Sequence, residues 1–285
     1  MDASSGFMIA ISIIVILAII LFNNKNAEDH IAPSNDATPD LVDIFSPEDI
    51  AWLEEDLAAA RETGDQHEES RLLSELGSVH FQRGQYEKAI AFHQQAMDIN
   101  WEIGNRPGQC ANLGCLGLAH TRLGQHQEAL EYHSQQLEVT RQLHDIQGEG
   151  TALVHLAGSY AALEQHEEAS ENLLRALNIF RITGNREAEN NTINSLINAS
   201  CLLGQHTKAI EYCQQKLENA IADNDRLIEV QTDWQIGLLY EKLDDLEEAI
   251  QHMQRQVNFY KEIGHEDTKK QNDYLSQVKE KARWK

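Results

Sequence analysis

The chain has 285 residues, enough for one large domain or two smaller ones, and 41 % of them are hydrophobic. Its formal net charge of −23 excludes a nucleic-acid-binding protein, because a DNA or RNA partner requires a positive surface that displaces phosphate counterions. None of the four cysteines forms a CxxC pair, so a zinc framework is excluded and free, half-buried thiols in a reducing compartment are expected.

The first predicted element is an apolar segment over residues 7–22, which reads FMIAISIIVILAIILF and is interrupted only by Ser12. As a helix, these 16 residues span about 24 Å, against a hydrocarbon core of about 30 Å. The pattern predicts a single transmembrane helix that anchors the chain within residues 1–23. A cleaved signal peptide is the alternative, but residues 1–6 carry no Lys or Arg and no A-x-A signal follows. Lys25 favours a single-pass membrane protein with its body on the cytoplasmic side.

Residues 24–45 come next and contain Pro33, Pro39, many Asn and Asp residues, and no apolar periodicity. This composition predicts a disordered acidic linker. The following Ser46-Pro47-Glu48-Asp49 has the chemistry of a helix start, with a capping Ser, a Pro at the first helical position and acids in the first turn. Residues 46–63 are therefore expected to form an N-terminal capping helix.

A 40-residue period organises residues 64–263 into five units. A residue that accepts a left-handed conformation closes one helix at each repeat, and in most units an Asp or Asn after it caps the next helix. These pairs are Gly64-Asp65, Gly104-Asn105, His144-Asp145, Gly184-Asn185, Asn224-Asp225 and Gly264-His265. A second turn lies 20 residues into each unit, at Gly84, Gly124, Glu164, Gly204 and Asp244. Each unit is thus predicted to be helix, turn, helix, turn.

Two columns of small residues recur within the units. The second helix of each unit carries Ala89, Ala129, Ala169, Ala209 or Ala249. The first helix carries Gly77, Gly117, Ala157, Ile197 or Gly237, always after a Leu or Ile. Small residues at matched positions predict that the two helix backbones approach closely there. Ile197 in unit four, and Glu164 and Asp244 at the second turn, depart from the pattern.

These residues resemble the tetratricopeptide repeat family, whose Leu-Gly, aromatic, Gly and Ala positions match Leu76-Gly77, His80, Gly84 and Ala89. The 40-residue unit is similar to that of kinesin light chains, the Leu-Gly-Asn spindle-orientation scaffolds and many bacterial repeat proteins. The resemblance implies an all-α fold, a right-handed superhelix or α-solenoid of about twelve helices. Residues 264–285 are expected to form a C-terminal capping helix that faces solvent.

The histidines recur with the same period. His126, His166 and His206 share a column with Tyr86, and the pairs His80–His120 and His93–His133 share two others. Recurrence at the repeat period predicts that these side chains fill packing positions and do not bind metal. The sequence also lacks GxGxxG, Walker, GxSxG and HExxH motifs. We therefore predict no catalytic residue, no metal site and no cofactor, and a protein that is not an enzyme.

The resemblance implies that the first helices line a concave groove for extended peptides or helices. Groove positions lie three residues before and one, four and five residues after the small residue of each first helix. The candidate groove residues are Asn191, Asn194, Asn198, Trp234, Leu238, Lys242, Phe81, Leu118 and Arg122. Two alternatives are open: Asn191, Asn194 and Asn198 form a solvated polar face, and Trp234 is packed between helices.

Family members that hold C-terminal carboxylates use a Lys-Asn pair in these positions. Here the equivalents are Ser74, Ser78, Gly114 and Leu118, so this clamp is not expected. The overall layout predicts a membrane-tethered adaptor or assembly factor for a protein or peptide client, and it is similar to that of anchored repeat proteins of photosynthetic bacteria that help assemble membrane complexes. Self-association of the solenoid and sensing of a signalling peptide are the two alternatives.

Overall fold

The structure is a computed structural model that describes residues 46–284, and in this range the chain forms twelve α-helices and no strand. The helices are α1 (Pro47–Thr63), α2 (Gln66–Gln82), α3 (Tyr86–Glu102), α4 (Arg106–Arg122), α5 (His126–Gln142), α6 (Ile146–Ala162), α7 (His166–Thr183), α8 (Arg186–Leu202), α9 (His206–Ala222), α10 (Arg226–Lys242), α11 (Leu246–Ile263) and α12 (Thr268–Arg283). The predicted anchor and linker lie outside the described residues. Among residues 46–284, no helix combines the length and the apolar character needed to cross a membrane.

The helix starts follow the predicted capping chemistry. At α1, the Ser46 hydroxyl accepts a hydrogen bond from the Asp49 backbone N–H, and the Asp49 carboxylate accepts one from the Ser46 backbone N–H. In the first helices of the five units, the predicted Asp or Asn side chain accepts a hydrogen bond from one backbone N–H of the first turn. The start of α12 differs, because it begins at Thr268 without a side-chain cap.

The residues at both predicted turn positions of each unit adopt a left-handed backbone conformation. The predicted turn residues, seven of them Gly and four of other types, have φ between 55° and 74°. Glu164 and Asp244 adopt φ of 60° and 65°, so the turns in units three and five keep the geometry that Gly gives elsewhere. His144 and Asn224, both at φ 55°, do the same at the boundaries between units.

Successive helices pack against one another, so the chain forms an α-solenoid. The first helices of the units, α2, α4, α6, α8 and α10, lie in one layer with α12; further contacts join α2 to α4 and α4 to α6. The second helices form the other layer, and the predicted Ala column is buried between the two, at 0–1 % exposure. In unit five the two backbones approach closely, because a Cβ added at Gly237 would lie 3.0 Å from the Ala249 carbonyl oxygen.

The small residue on each first helix faces a larger one on the second helix of the same unit. A Cβ added at Gly77, Gly117 or Gly237 would stand less than 3 Å from the facing side chain, which is too close for any real contact. The facing pairs are Gly77–His93, Gly117–His133 and Gly237–Met253. Unit four reverses the sizes: Ile197 is matched in the repeat by the small Cys213, and both are buried in one cluster. The packing therefore accommodates Ile197.

Candidate functional site

A cleft of about 500 Å³ opens on the layer of first helices, between α8, α10 and α12. Its floor is apolar and consists of Ile197, Leu238 and Leu239, of which Ile197 and Leu239 are only 6 % and 5 % exposed. Cys201 adds a half-buried thiol, and burial raises its pKa while the nearby Lys242 ammonium opposes that shift. The thiol is therefore protonated and adds a neutral surface to the floor.

In one wall of the cleft, the Glu241 carboxylate is paired with two groups from α12. The Tyr274 hydroxyl of α12 donates a hydrogen bond of 2.9 Å to Oε2 of Glu241 on α10. The Lys281 ammonium lies 3.4 Å from Oε1 of the same carboxylate. Burial, together with the adjacent Glu241 carboxylate, raises the pKa of Tyr274 to about 12, so the phenol remains a donor. The two groups from α12 thus satisfy the charge of Glu241.

The rim of the cleft is polar and exposed. Asn198 and Gln235 each carry a carboxamide that both donates and accepts hydrogen bonds. Lys242 lies at the rim with an exposed side chain, and it makes no ion pair or hydrogen bond with any residue of the described range 46–284. The floor of the cleft can therefore bind an apolar side chain. At the rim, the carboxamides can form hydrogen bonds with a peptide backbone, and Lys242 can pair with an anionic group.

The structure brings three of the predicted groove residues together, because Asn198, Leu238 and Lys242 all line this cleft. Asn191 and Asn194 are half-buried on the same helix and lie outside the cleft lining. Trp234 is half-buried and packs against the C-terminal apolar cluster.

The ring of Trp234 lies 5.8 Å from that of Tyr274. It therefore supports the α10–α12 contact.

The other predicted residues lie at the N-terminal end of the solenoid. The Arg122 guanidinium stands 6.0 Å over the Phe81 ring, so α4 and α2 present a joint cationic and aromatic surface there. Leu118 is half-buried on α4. The Ser74 hydroxyl, at a position of the family's carboxylate clamp, donates to Asn112 Oδ1 at 3.1 Å.

Some cleft residues were not among the predicted ones. Cys201 and Glu241 lie four residues after Ile197 and Gly237, which is one of the groove positions defined from the repeats, but neither was among the candidate residues. Tyr274 and Lys281 were missed because α12 was expected to face solvent as a cap. Their spacing of seven residues, which puts both on one face of a helix, is a signal that could have identified them.

Four of the recurring histidines, His80, His120, His93 and His133, are packing residues, as predicted. The ring of His80 stacks on Phe92 and that of His120 on Tyr132, both with centroids 5.1 Å apart. His93 and His133 are 1 % exposed between the two helix layers. No group of three or more His, Cys, Asp or Glu side chains within the described part of the chain is arranged to hold a metal ion.

The stacked helix pairs, the Gly and Ala contact columns and the cleft on the first-helix layer define an α-solenoid repeat protein. Profiles of the tetratricopeptide repeat match residues 71–102, 109–182 and 234–262. The chain belongs to the tetratricopeptide repeat family. No curated protein sequence matches it significantly.

Several solved structures share the fold. BtubC (BKLC) from P. vanneervenii is 17 % identical with a TM-score of 0.62, over 76 % of this chain and 91 % of that one. The repeats of a putative kinesin light chain from Podosopora anserina are 21 % identical with a TM-score of 0.61, over 69 % and 98 %. A Rap protein complexed with Competence and Sporulation Factor is 18 % identical with a TM-score of 0.56, over 82 % and 70 %. At these identities the similarity concerns the fold alone.

Proposed function

We propose that this protein is a membrane-tethered scaffold, an adaptor or assembly factor that holds a peptide or helix of a client protein on its first-helix layer. The observation that carries the proposal is the cleft between α8, α10 and α12, which combines an apolar floor with exposed polar rim groups. Its volume of about 500 Å³ lies in the range of ligand-binding pockets, and an apolar centre with a polar rim is typical of protein interfaces.

The predicted groove residues at the two ends of the solenoid make up the proposed contact surface. The cleft residues Asn198, Leu238 and Lys242 would hold one part of the client, with Asn191, Asn194 and Trp234 extending the face along α8 and α10. Phe81, Leu118 and Arg122 would hold another part at α2 and α4. A client that engages both regions would run along the layer of first helices, as extended peptides and helices do in solenoid grooves.

The tether is the part of the proposal that the sequence alone supports. Residues 7–22 would anchor the chain, residues 24–45 would act as the linker, and the repeats of residues 64–263, with the capping segments 46–63 and 264–285, would form the body on the cytoplasmic side. Tethering raises the concentration of the cleft near membrane-bound clients without strengthening any contact. We expect the full chain to sediment with membranes after alkaline washing and a chain that lacks residues 7–22 to stay in the supernatant. Equal partition of both chains would remove the anchor from the proposal.

Photo-crosslinking in the protein's own cells tests the binding part. A photoreactive amino acid replaces Asn198 or Lys242 at the cleft rim, and Glu211, an exposed residue on the second helix α9, serves as the matched control. We expect the same client adduct from both rim positions and none from position 211. Equal crosslinking at all three positions would contradict a binding cleft, and adducts only with further copies of this chain would establish the self-association alternative. An adduct with a small signalling peptide would identify a sensor module, the other alternative.

A further inference from the structure

We propose that the cleft between α8, α10 and α12 selects an extended client segment in which an acidic side chain neighbours an apolar one. This inference rests on the proposed function, because it names the partner chemistry of the same cleft. The apolar side chain would enter the floor formed by Ile197, Leu238 and Leu239. The acidic side chain would pair with Lys242 at the rim.

The charge state of the cleft favours an anionic partner group. Glu241 is the carboxylate that lines it, and Tyr274 and Lys281 already satisfy both of its oxygens. Lys242 has no such partner within residues 46–284, although the whole chain has 46 acidic and only 23 basic residues. A cation left unpaired in so acidic a protein is available to a carboxylate of the client.

The third element, α12, is basic where the other helices of the cleft are not. It carries five Lys or Arg residues against two acidic ones, whereas α8 carries one against two. Charge is therefore distributed unevenly along the solenoid, and the cleft lies beside its most basic helix. Electrostatic complementarity of this kind steers a partner of opposite charge and sets its orientation.

The rim carboxamides explain why the segment should be extended. Asn198 and Gln235 project exposed groups from two neighbouring helices, and each offers one donor group and one acceptor group to a peptide backbone. An extended backbone presents its own N–H and C=O groups for such pairing, and its side chains alternate between floor and rim. A segment with an acidic residue next to an apolar residue can therefore place the apolar side chain on the floor and the acidic side chain at the rim.

Selection from a phage library of random dodecapeptides on the immobilised full chain, in detergent at 0.15 M salt, tests the inference. Electrostatic attraction to a chain of net charge −23 would by itself enrich basic peptides, so acidic enrichment requires a local site. We expect retained peptides to carry Asp or Glu beside Leu, Ile, Val or Phe. A retained pool without acidic residues would overturn the inference and leave the scaffold function in place, whereas a chain that retains no peptides would contradict the scaffold function itself.

Fluorescence anisotropy with the most enriched peptide assigns the charge to Lys242. We expect Lys242→Glu to weaken binding by about fivefold, the upper range for an exposed ion pair, and Lys242→Gln to weaken it less. Lys88→Glu makes the same charge change on the exposed surface of α3 and should leave affinity unchanged. Equal losses in Lys88→Glu and Lys242→Glu would overturn the assignment.

The chain's own segment 36–45, DATPDLVDIF, has the same acidic and apolar pattern and is the alternative occupant. A synthetic peptide of these residues is therefore tested as a competitor of the selected peptide. We expect it to compete weakly or not at all. Competition at equal concentration would transfer the site to this segment and overturn the assignment to a separate client.

Discussion

The Tyr274 hydroxyl donates a hydrogen bond to Oε2 of Glu241 across the α10–α12 contact, with 2.9 Å between the two oxygens. This bond joins the terminal helix to the last complete unit and occupies one oxygen of a carboxylate that would otherwise repel an acidic client. Lys281 completes the arrangement from the same face of α12. The helix that ends the solenoid therefore also shapes the binding cleft.

Replacement of Tyr274 by Phe tests this relationship by titration. The pKa of Tyr274 is raised to about 12 by burial and by the Glu241 carboxylate, whereas an unfolded Tyr titrates near 10. Its contribution to stability is thus complete below about pH 10 and is lost as pH rises through about 12. We expect ultraviolet difference spectra to show one phenol ionising near pH 12 in the parent chain and not in Tyr274→Phe. If the phenol missing from Tyr274→Phe were instead one that ionises near pH 10, the Tyr274–Glu241 bond would not form in solution.

The buried histidines predict a loss of stability in acid. Burial lowers the pKa of His93 to about 4 and that of His133 to about 3, against an ordinary value of 6.5. Below pH 6.5 the unfolded chain takes up protons that the folded chain refuses, so folding stability falls as pH decreases towards 4. Each such histidine contributes at most about 1.4 kcal/mol per pH unit.

His93→Met is the variant that measures this effect, because Met253 occupies the same repeat position in unit five. We expect its urea midpoint to decline less between pH 7 and pH 5 than that of the parent chain. His67→Gln, at an exposed position on α2, should retain the parent's dependence on pH. A decline in His93→Met as steep as the parent's would contradict the buried, neutral state of His93.

Much of the fold follows from local chemistry that the sequence displays. Turn positions such as Gly84 and Asp244 can be identified from the sequence because turn-forming residues recur there at a fixed period. The Ala column can be identified because a small residue recurs with the same period. The exchange of sizes between Ile197 and Cys213 was also readable, by comparing each first-helix position with the one 16 residues later.

The candidate site was less accessible to sequence reasoning. The position rule of the repeats led to Asn198, Leu238 and Lys242, but it does not extend to α12, which lacks the Leu-Gly pair and so has no register with the groove. Whether Trp234 is exposed depends on Tyr274 and the cluster around it, which is a tertiary contact. The pairing of Glu241 is tertiary for the same reason.

The contact between Gly117 and His133 predicts a coupled pair of substitutions. A Cβ at position 117 would overlap the His133 ring, so Gly117→Ala should destabilise the fold by about 1–3 kcal/mol. Unit three places Ala157 and Leu173 at the equivalent positions, which shows that an Ala is tolerated opposite Leu. We expect the double variant Gly117→Ala with His133→Leu to be more stable than the sum of the single variants predicts, by at least about 1 kcal/mol in urea denaturation. Additive effects would mean that the two side chains do not share this space.

The second turn of unit three predicts a stabilising substitution. Glu164 has φ of 60°, a conformation that costs an L-residue about 1–2 kcal/mol and costs Gly almost nothing. Glu164→Gly also increases the freedom of the unfolded chain, which offsets about 0.4–1 kcal/mol of this gain. We therefore expect a net increase of roughly 0.5–1 kcal/mol in the free energy of unfolding, measured by urea denaturation. The control is Ala91→Gly, at an exposed position inside α3, which should lower stability by about 0.5–1 kcal/mol because Gly has no backbone strain to relieve there. Loss of stability in both variants would show that Glu164 makes contacts in the folded state that outweigh its backbone strain.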